Sequence, residues 1–152
     1  MQNPINIRRL LLATSHVLFL LILWDWAVSG IVVQHYLGID PAIWRTAEAQ
    51  EQNLFWMTLG QAIIAVVFCY FYAVMYPGPG IKQGVIFGSF VGVLLSSTLF
   101  ILYTIIPLPQ AAILAWAVSG VFEGSVAGAL VAWLYRPAVK TSAVDMPHSA
   151  TT

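Results

Sequence analysis

Residues 84–106, GVIFGSFVGVLLSSTLFILYTII, form an apolar run without a charged side chain. About 20 apolar residues in helical conformation cross the hydrocarbon core of a bilayer, so this run is long enough to span a membrane. A small residue recurs at every fourth position, at Gly84, Gly88, Gly92 and Ser96. Because positions four apart lie on one face of a helix, the run predicts a membrane-spanning helix with one smooth face.

Three similar runs accompany this stretch, and each is long enough to cross a bilayer. In hydrocarbon only helices and closed barrels satisfy the backbone polar groups. The runs are too long for the roughly 10-residue alternating strands of a membrane barrel, so helices are expected. The four predicted spans are Leu10–Val33, Leu54–Tyr76, Gly84–Ile106 and Ala111–Tyr135.

Proline and glycine punctuate the links between the last three spans. YPGPGIK at residues 76–82 and PLPQ at 107–110 are tight turns, and helices joined by such turns pack as antiparallel neighbours. Residues 138–152 lack apolar periodicity, which indicates a disordered tail. The predicted fold is therefore all-α, an integral membrane four-helix antiparallel bundle at residues 1–137.

The composition indicates lipid as the solvent. Of 152 residues, 60% are apolar and 8% are charged, whereas a soluble domain carries about 25% charged residues. Six basic and six acidic residues cancel, so no basic surface for nucleic acid is expected. Cys69 is the only cysteine, which excludes an internal disulfide, and no Cys/His spacing resembles a metal site. We therefore expect the lipid bilayer as a partner, and no metal, cofactor or nucleic acid.

The basic residues predict the orientation, because cytoplasmic loops of membrane proteins are rich in lysine and arginine. Arg45 follows the first span, and the other five basic residues fall on the opposite side, so both termini are expected in the cytoplasm. The alternative is that the first run is a secretory signal cleaved at Ala27-Val28-Ser29, although the apolar run continues past that point. The residues on the predicted cytoplasmic side are Arg8, Arg9, Lys82, Arg136 and Lys140.

The last two spans carry matching rows of small residues. The row on the third span has a counterpart on the fourth, where Gly120, Gly124, Gly128 and Ala132 recur at the same interval. Helices in lipid associate through close backbone contacts, which small residues permit. Because both rows lie in one hairpin, we predict glycine-zipper packing between these two spans. The alternative is that the same rows form a homo-oligomer interface.

The pentapeptide WAVSG occurs twice, directly after Asp25 and shortly before Glu123. Each acid lies four residues from a serine of its own copy, Ser29 or Ser119, and so shares a helix face with it. In antiparallel spans both acids fall at similar depth, in the outer half of the bilayer or near its midplane. Ionisable groups there cost about 2.5–3.5 kcal/mol on insertion scales, so they rarely face lipid.

Other spans supply polar side chains at comparable depth, so one interpretation is a small polar cavity open toward the outer face. Two neighbouring acids in it would share protons and could bind a cation, carry a proton or hold a small polar solute. The other interpretation is polar packing, in which neutral acids form interhelical hydrogen bonds with serine or glutamine. The predicted set is Asp25, Trp26, Ser29, Gln61, Ser97, Trp116, Ser119 and Glu123.

The segments IKQGVIFGSFVG (81–92) and WAVSGVFEGSVAGALVAWLYRP (116–137) resemble small four-pass bacterial membrane proteins of uncharacterised function. The similarity is greatest in the C-terminal half, where the glycines and Glu123 are its most recognisable features. The resemblance implies a bacterial inner membrane, and it implies no activity and no catalytic residue.

Three classes of function are compatible with the sequence. The first is a structural or accessory subunit that packs as a homo-oligomer or within a larger membrane complex, which the glycine rows and the small extramembrane mass favour. The second is a small oligomeric transporter or channel that uses Asp25 and Glu123. The third, a membrane enzyme, has no nucleophile–base pair, metal cluster or phosphate loop to support it. The sequence predicts no enzyme and favours the accessory subunit over the transporter.

Overall fold

The computed structural model describes residues 5–33, 45–75 and 80–136. Within these ranges the regular elements are helices, and no strand occurs. Four helices are long and apolar enough to cross a membrane, which confirms the prediction that the apolar runs are helical. The predicted tail at 138–152 lies outside the described residues. The elements are α1 (Ile7–Asp25), a π-helical segment (Trp26–Val33), α2 (Ala47–Gln52), α3 (Leu54–Met75), α4 (Ile81–Tyr103) and α5 (Gln110–Leu134).

Local capping chemistry sets several of the helix ends. The side chain of Asn6 accepts a hydrogen bond from the backbone N–H of Arg9 at 3.3 Å, so α1 begins before the apolar run and includes both arginines. Gly80 precedes α4 with a φ of 121°, a backbone conformation that residues with side chains avoid. Pro107 and Pro109 separate α4 from α5, because proline cannot continue a helix.

The outward surfaces of the long helices are apolar. The large side chains of Phe90, Leu94, Phe122 and Trp133 are each more than half exposed. Soluble proteins rarely expose wide contiguous apolar patches, whereas hydrocarbon covers such a surface without cost. The distribution of exposed side chains therefore suits a chain that is surrounded by lipid.

Two clusters of buried side chains form the interior. The larger one, here called the basal core, joins α1, α3 and α5, and Phe87 of α4 packs against it. Its aromatic rings meet edge to face, with 6.3 Å between the ring centroids of Tyr72 and Tyr135 and 5.4 Å between those of Tyr72 and Phe87. The buried members are Ala13, Val17, Leu21, Ala65, Phe68, Cys69, Tyr72, Ala73, Ala127, Val131 and Tyr135.

The smaller cluster, here called the apical core, lies where α4 turns into α5. It consists of Leu108 in the turn and of Ala112 and Ile113 in the first turn of α5. Val28 of the π segment and Trp116 of α5 pack against it. The two cores share no buried residue, and residues of both line a cavity in the middle of the helices.

The long helices are unequally spaced. α4 and α5 contact each other along most of their length, α1 contacts both α3 and α5, and α3 contacts α4 only slightly. A Cβ added to Gly88 would collide with the carbonyl of Gly124, so the backbones of α4 and α5 are in direct contact. A Cβ added to Gly92 would lie 2.7 Å from the Gly120 oxygen. The facing pairs are Gly84 with Gly128, Gly88 with Gly124, and Gly92 with Gly120.

Candidate functional site

A cavity of about 610 Å³ lies between the basal and apical cores. All four long helices and the π segment contribute to its wall, which is mostly apolar. Pockets that bind small molecules typically enclose about 300–1,000 Å³, with apolar walls and a few convergent polar groups. The polar and indole side chains that line this one are Trp24, Asp25, Ser29, Gln61, Ser96, Thr98, Trp116, Ser119 and Glu123.

The two carboxylates of the predicted set meet in this cavity. Asp25, the last residue of α1, accepts a hydrogen bond from the side-chain amide of Gln61 on α3. Glu123 lies on α5 and lines the same cavity as Asp25. Glu123 has no hydrogen bond or ion pair in the part of the chain that the structure describes. The cavity thus holds two acids from different helices, and one of them has no protein partner there.

Gln61 and Ser96 are the most deeply buried polar residues of the site, each with 6% of its surface exposed. Gln61 is the one that contacts an acid. Its Nε2 donates to Asp25, whereas its Oε1 accepts no hydrogen bond from any of the residues described. A buried polar atom without a partner typically costs about 1–3 kcal/mol. Because this oxygen is itself buried, a donor in the cavity reaches it only if the Gln61 side chain moves.

The serines of the two WAVSG copies bind tryptophans rather than the acids. The indole Nε1 of Trp24 donates to Ser119 Oγ at 2.8 Å, and the indole Nε1 of Trp116 donates to Ser29 Oγ at 3.3 Å. The donor of the first bond lies on α1 and its acceptor on α5, whereas the donor of the second lies on α5 and its acceptor on the π segment. The repeated serine therefore joins these two segments, and it leaves the carboxylate of Glu123 without a serine partner.

Two members of the predicted set lie outside the cavity. Trp26 is 67% exposed, and Trp24 takes its place in the wall. The inward stripe of α1 passes through Val17 and Leu21 at helical spacing, and it reaches Trp24 rather than Trp26. This stripe was present in the sequence and would have favoured Trp24.

Ser97 is the second correction. Its side chain is exposed and donates to the backbone oxygen of Leu94 at 2.6 Å, whereas Ser96 is buried and lines the cavity. Ser96 continues the four-residue interval of Gly88 and Gly92, so it faces α5 with them, and Ser97 lies roughly 100° further around the helix. The glycine interval therefore contained the signal for Ser96.

The π segment was not predicted. It begins at Trp26, directly after Asp25, and runs for eight residues. π-helical turns are rare and occur often at functional sites. The β-branched residues Val28, Ile31, Val32 and Val33 and the glycine at position 30 lower the α-helix propensity of this stretch, which is the one local signal for it.

The cavity has an opening between α3 and α4, here called the lateral slot and formed by Ile64, Leu95 and Leu102. Each of the three lines the cavity and is also exposed, by 40%, 46% and 38% respectively. These helices barely contact one another, so nothing in the described structure closes the gap at this level. Thr98, between Leu95 and Leu102 on α4, also lines the cavity and is exposed, and its hydroxyl donates to Leu95 O at 2.7 Å. The slot is therefore aliphatic apart from one hydroxyl that is already bonded, and it faces the surface that suits lipid.

No group of three or more histidine, cysteine, aspartate or glutamate side chains comes together among the described residues. His16, the histidine within the first span, is exposed on α1, and its Nδ1 lies 2.8 Å from Leu12 O. It does not belong to the cavity wall. The chemistry that this site offers is therefore carried by carboxylate, amide, hydroxyl and indole groups.

Comparison with known proteins returned no matching family model, curated protein or solved structure. The resemblance to small bacterial four-pass proteins stays a prediction. The candidate site is accordingly interpreted from its own geometry.

Proposed function

We propose that this chain is a membrane-embedded binding protein that receives a small cation or hydrogen-bond donor in the cavity between its helices. A transporter that uses Asp25 and Glu123 would also have to bind its substrate here, so this proposal keeps the binding part of that hypothesis. The observation that carries the proposal is the pair of acids, Asp25 and Glu123, which come from different helices and line one cavity that none of the described basic residues lines.

The acceptors of the cavity match a cation better than an anion. Two carboxylates and the side chain of Gln61 line the space, and a primary ammonium group has three N–H donors and no acceptor. None of the basic residues in the described ranges lines the cavity. A bound cation would therefore supply the counter-charge that the helices do not.

Binding is better supported than conduction through the chain. The basal core fills the space on one side of the cavity, where Tyr72, Tyr135 and Phe87 pack ring against ring. The apical core lies on the other side. A transporter built on this chain has to move one of these cores aside, whereas a binding protein needs no such motion.

The test is a binding titration with methylamine, which is an ammonium cation at neutral pH. Purified protein in lipid nanodiscs is titrated while the emission of Trp24 and Trp116 in the cavity wall reports occupancy. We expect a saturable change that is lost in the double variant Asp25→Asn, Glu123→Gln. The matched control is Glu51→Gln, which removes an exposed carboxylate on α2 and should leave the titration unchanged. A saturable change that persists in the double variant, or no change in the wild type, would contradict the proposal.

An accessory subunit is the second candidate function, and the exposed apolar surface of the long helices is compatible with it. The glycine rows no longer favour it in particular, because their residues face each other within the chain. Its test is co-purification in mild detergent. A chain that elutes alone and as a monomer counts against both a homo-oligomer and a larger membrane complex.

We further propose that the four helices are antiparallel, with a glycine zipper between α4 and α5. The support is the order of the facing pairs, in which the residue number rises along α4 as it falls along α5. The proposed location is a bacterial inner membrane with both termini in the cytoplasm, supported by the distribution of basic residues. Reporter fusions at the C-terminus test this orientation, because alkaline phosphatase is active only outside the cytoplasm and a fluorescent protein matures inside it.

A further inference from the structure

We propose that the ligand is an amphipathic amine from the membrane, whose ammonium head binds at Asp25 and Glu123 and whose hydrocarbon tail lies in the lateral slot. This inference rests on the proposed function and adds the ligand class and the route of entry. A small water-soluble cation is the competing ligand, and the experiment below separates the two.

The cavity is elongated along the helix axes. Its wall on α5 runs from Trp116 to Ala127, which corresponds to roughly 16 Å at a rise of about 1.5 Å per residue. A site for a bare cation needs only the few atoms that surround the charge, whereas this cavity continues well beyond them along the helices. The elongated space suits a chain-like ligand that lies parallel to the helix axes.

Charged and apolar groups occupy different parts of the cavity wall. The two carboxylates and the amide belong to α1, α3 and α5, which contribute Asp25, Glu123 and Gln61. The exposed lining residues between α3 and α4 are aliphatic except Thr98, whose hydroxyl already donates to the backbone oxygen of Leu95 at 2.7 Å. A ligand that fits both regions has a cationic head and an apolar tail. The head would contact the carboxylates, and the tail would contact aliphatic side chains.

The lateral slot gives the ligand a route from the lipid into the cavity. Ile64, Leu95 and Leu102 are partly exposed on the surface of two helices that can span a membrane, so the lateral slot opens where lipid chains would lie. A hydrocarbon tail entering here leaves lipid for an equally apolar groove and gains little free energy by doing so. The head supplies the selectivity, because burying an ammonium group at this depth is costly unless acids receive it.

The test uses a primary alkylamine with a photoreactive diazirine in its tail, added to the protein in phosphatidylcholine vesicles. After illumination, the labelled residues are located by mass spectrometry. We expect labelling of the lateral slot at Leu95 and Leu102 to exceed that of the outward-facing Phe90 and Phe122 several-fold. The corresponding alcohol, which has the same tail and no ammonium group, should label both surfaces alike.

The double variant Asp25→Asn, Glu123→Gln should lose the enrichment at the slot while background labelling of the outer surface persists. A second variant, Leu95→Trp, fills the slot and leaves the acids in place, so it should abolish the enrichment but keep the fluorescence response to methylamine. If the alkylamine labels slot and outer surface equally while methylamine still binds, the membrane ligand is refuted and the proposed function stands. If methylamine gives no response either, the proposed function itself fails.

Discussion

Substituting Gly88 by alanine tests how closely α4 and α5 approach. A Cβ at this position would collide with the Gly124 oxygen and would lie 2.8 Å from its carbonyl carbon and 2.9 Å from Gly128 Cα. All three atoms belong to the backbone of α5, so no side chain can rotate away. The two helices would have to separate by about 1 Å or more, and a gap of about 0.5–1 Å already forfeits a quarter to a half of each dispersion contact across the interface.

Gly60→Ala is the matched control. Gly60 lies within α3, and a Cβ there would meet nothing within 4 Å. Alanine is favoured over glycine in a helix interior by about 0.8–1.0 kcal/mol, and both substitutions receive this contribution. Overpacking of a close-packed interface costs about 1–3 kcal/mol or more. We therefore expect Gly60→Ala to be neutral or stabilising, and Gly88→Ala to lower the free energy of unfolding by about 2–3 kcal/mol relative to it.

Gly120→Ala should fall between these two variants. Its Cβ would meet only Ser96, with 2.5 Å to the Oγ atom, and a hydroxyl can turn where a backbone cannot. The assay is unfolding of the purified protein by SDS in mixed micelles, followed by tryptophan fluorescence. Equal stability of Gly88→Ala and Gly60→Ala would refute direct backbone contact between α4 and α5. A loss at Gly120 as large as at Gly88 would contradict the distinction between a side-chain and a backbone obstacle.

Two further predictions concern the interior. The first is a double-mutant cycle of Trp24→Phe and Ser119→Ala, measured in the same SDS assay. We expect a coupling in the free energy of unfolding of about 0.5–1.5 kcal/mol, because the indole–hydroxyl hydrogen bond of 2.8 Å joins α1 to α5. Strictly additive losses would show that this bond contributes nothing. Cys69 has no exposed surface, so a maleimide should label it only after unfolding, whereas the cysteine introduced by Glu51→Cys on α2, outside the four long helices, should react in the folded state. Prompt labelling of native Cys69 would contradict its burial in the basal core.

Much of the fold is readable from the sequence because lipid imposes a simple rule. A run of apolar residues long enough to cross the bilayer must satisfy its own backbone, and a helix does so without reference to the rest of the chain. The predicted spans consequently differ from the observed helices by a few residues. At Ile7 and Ile81, for example, the helix extends into positions next to arginine or lysine that an apolar run excludes.

The site was only partly predictable, because rotation of a helix about its axis depends on its neighbours. Position along the chain gave the depth of Asp25 and Glu123, and both line the cavity. Depth alone could not distinguish Ser96 from Ser97, since adjacent residues differ little in height and by roughly 100° in direction. The choice follows from the glycines, whose contact with α5 fixes the rotation of α4.

The cavity itself follows from the unequal spacing of the helices. Glycines hold α4 directly against α5, and α1 packs against both α3 and α5, so three of the four neighbouring pairs are closely joined. The remaining pair, α3 and α4, meets through the side chain of Phe87, whose ring lies 5.1 Å from that of Phe68. Aromatic rings between two helices hold the helix backbones apart. The smaller aliphatic side chains of the lateral slot do not fill the gap that remains between α3 and α4. The cavity that both acids line therefore adjoins the least closely joined pair of neighbouring helices, α3 and α4.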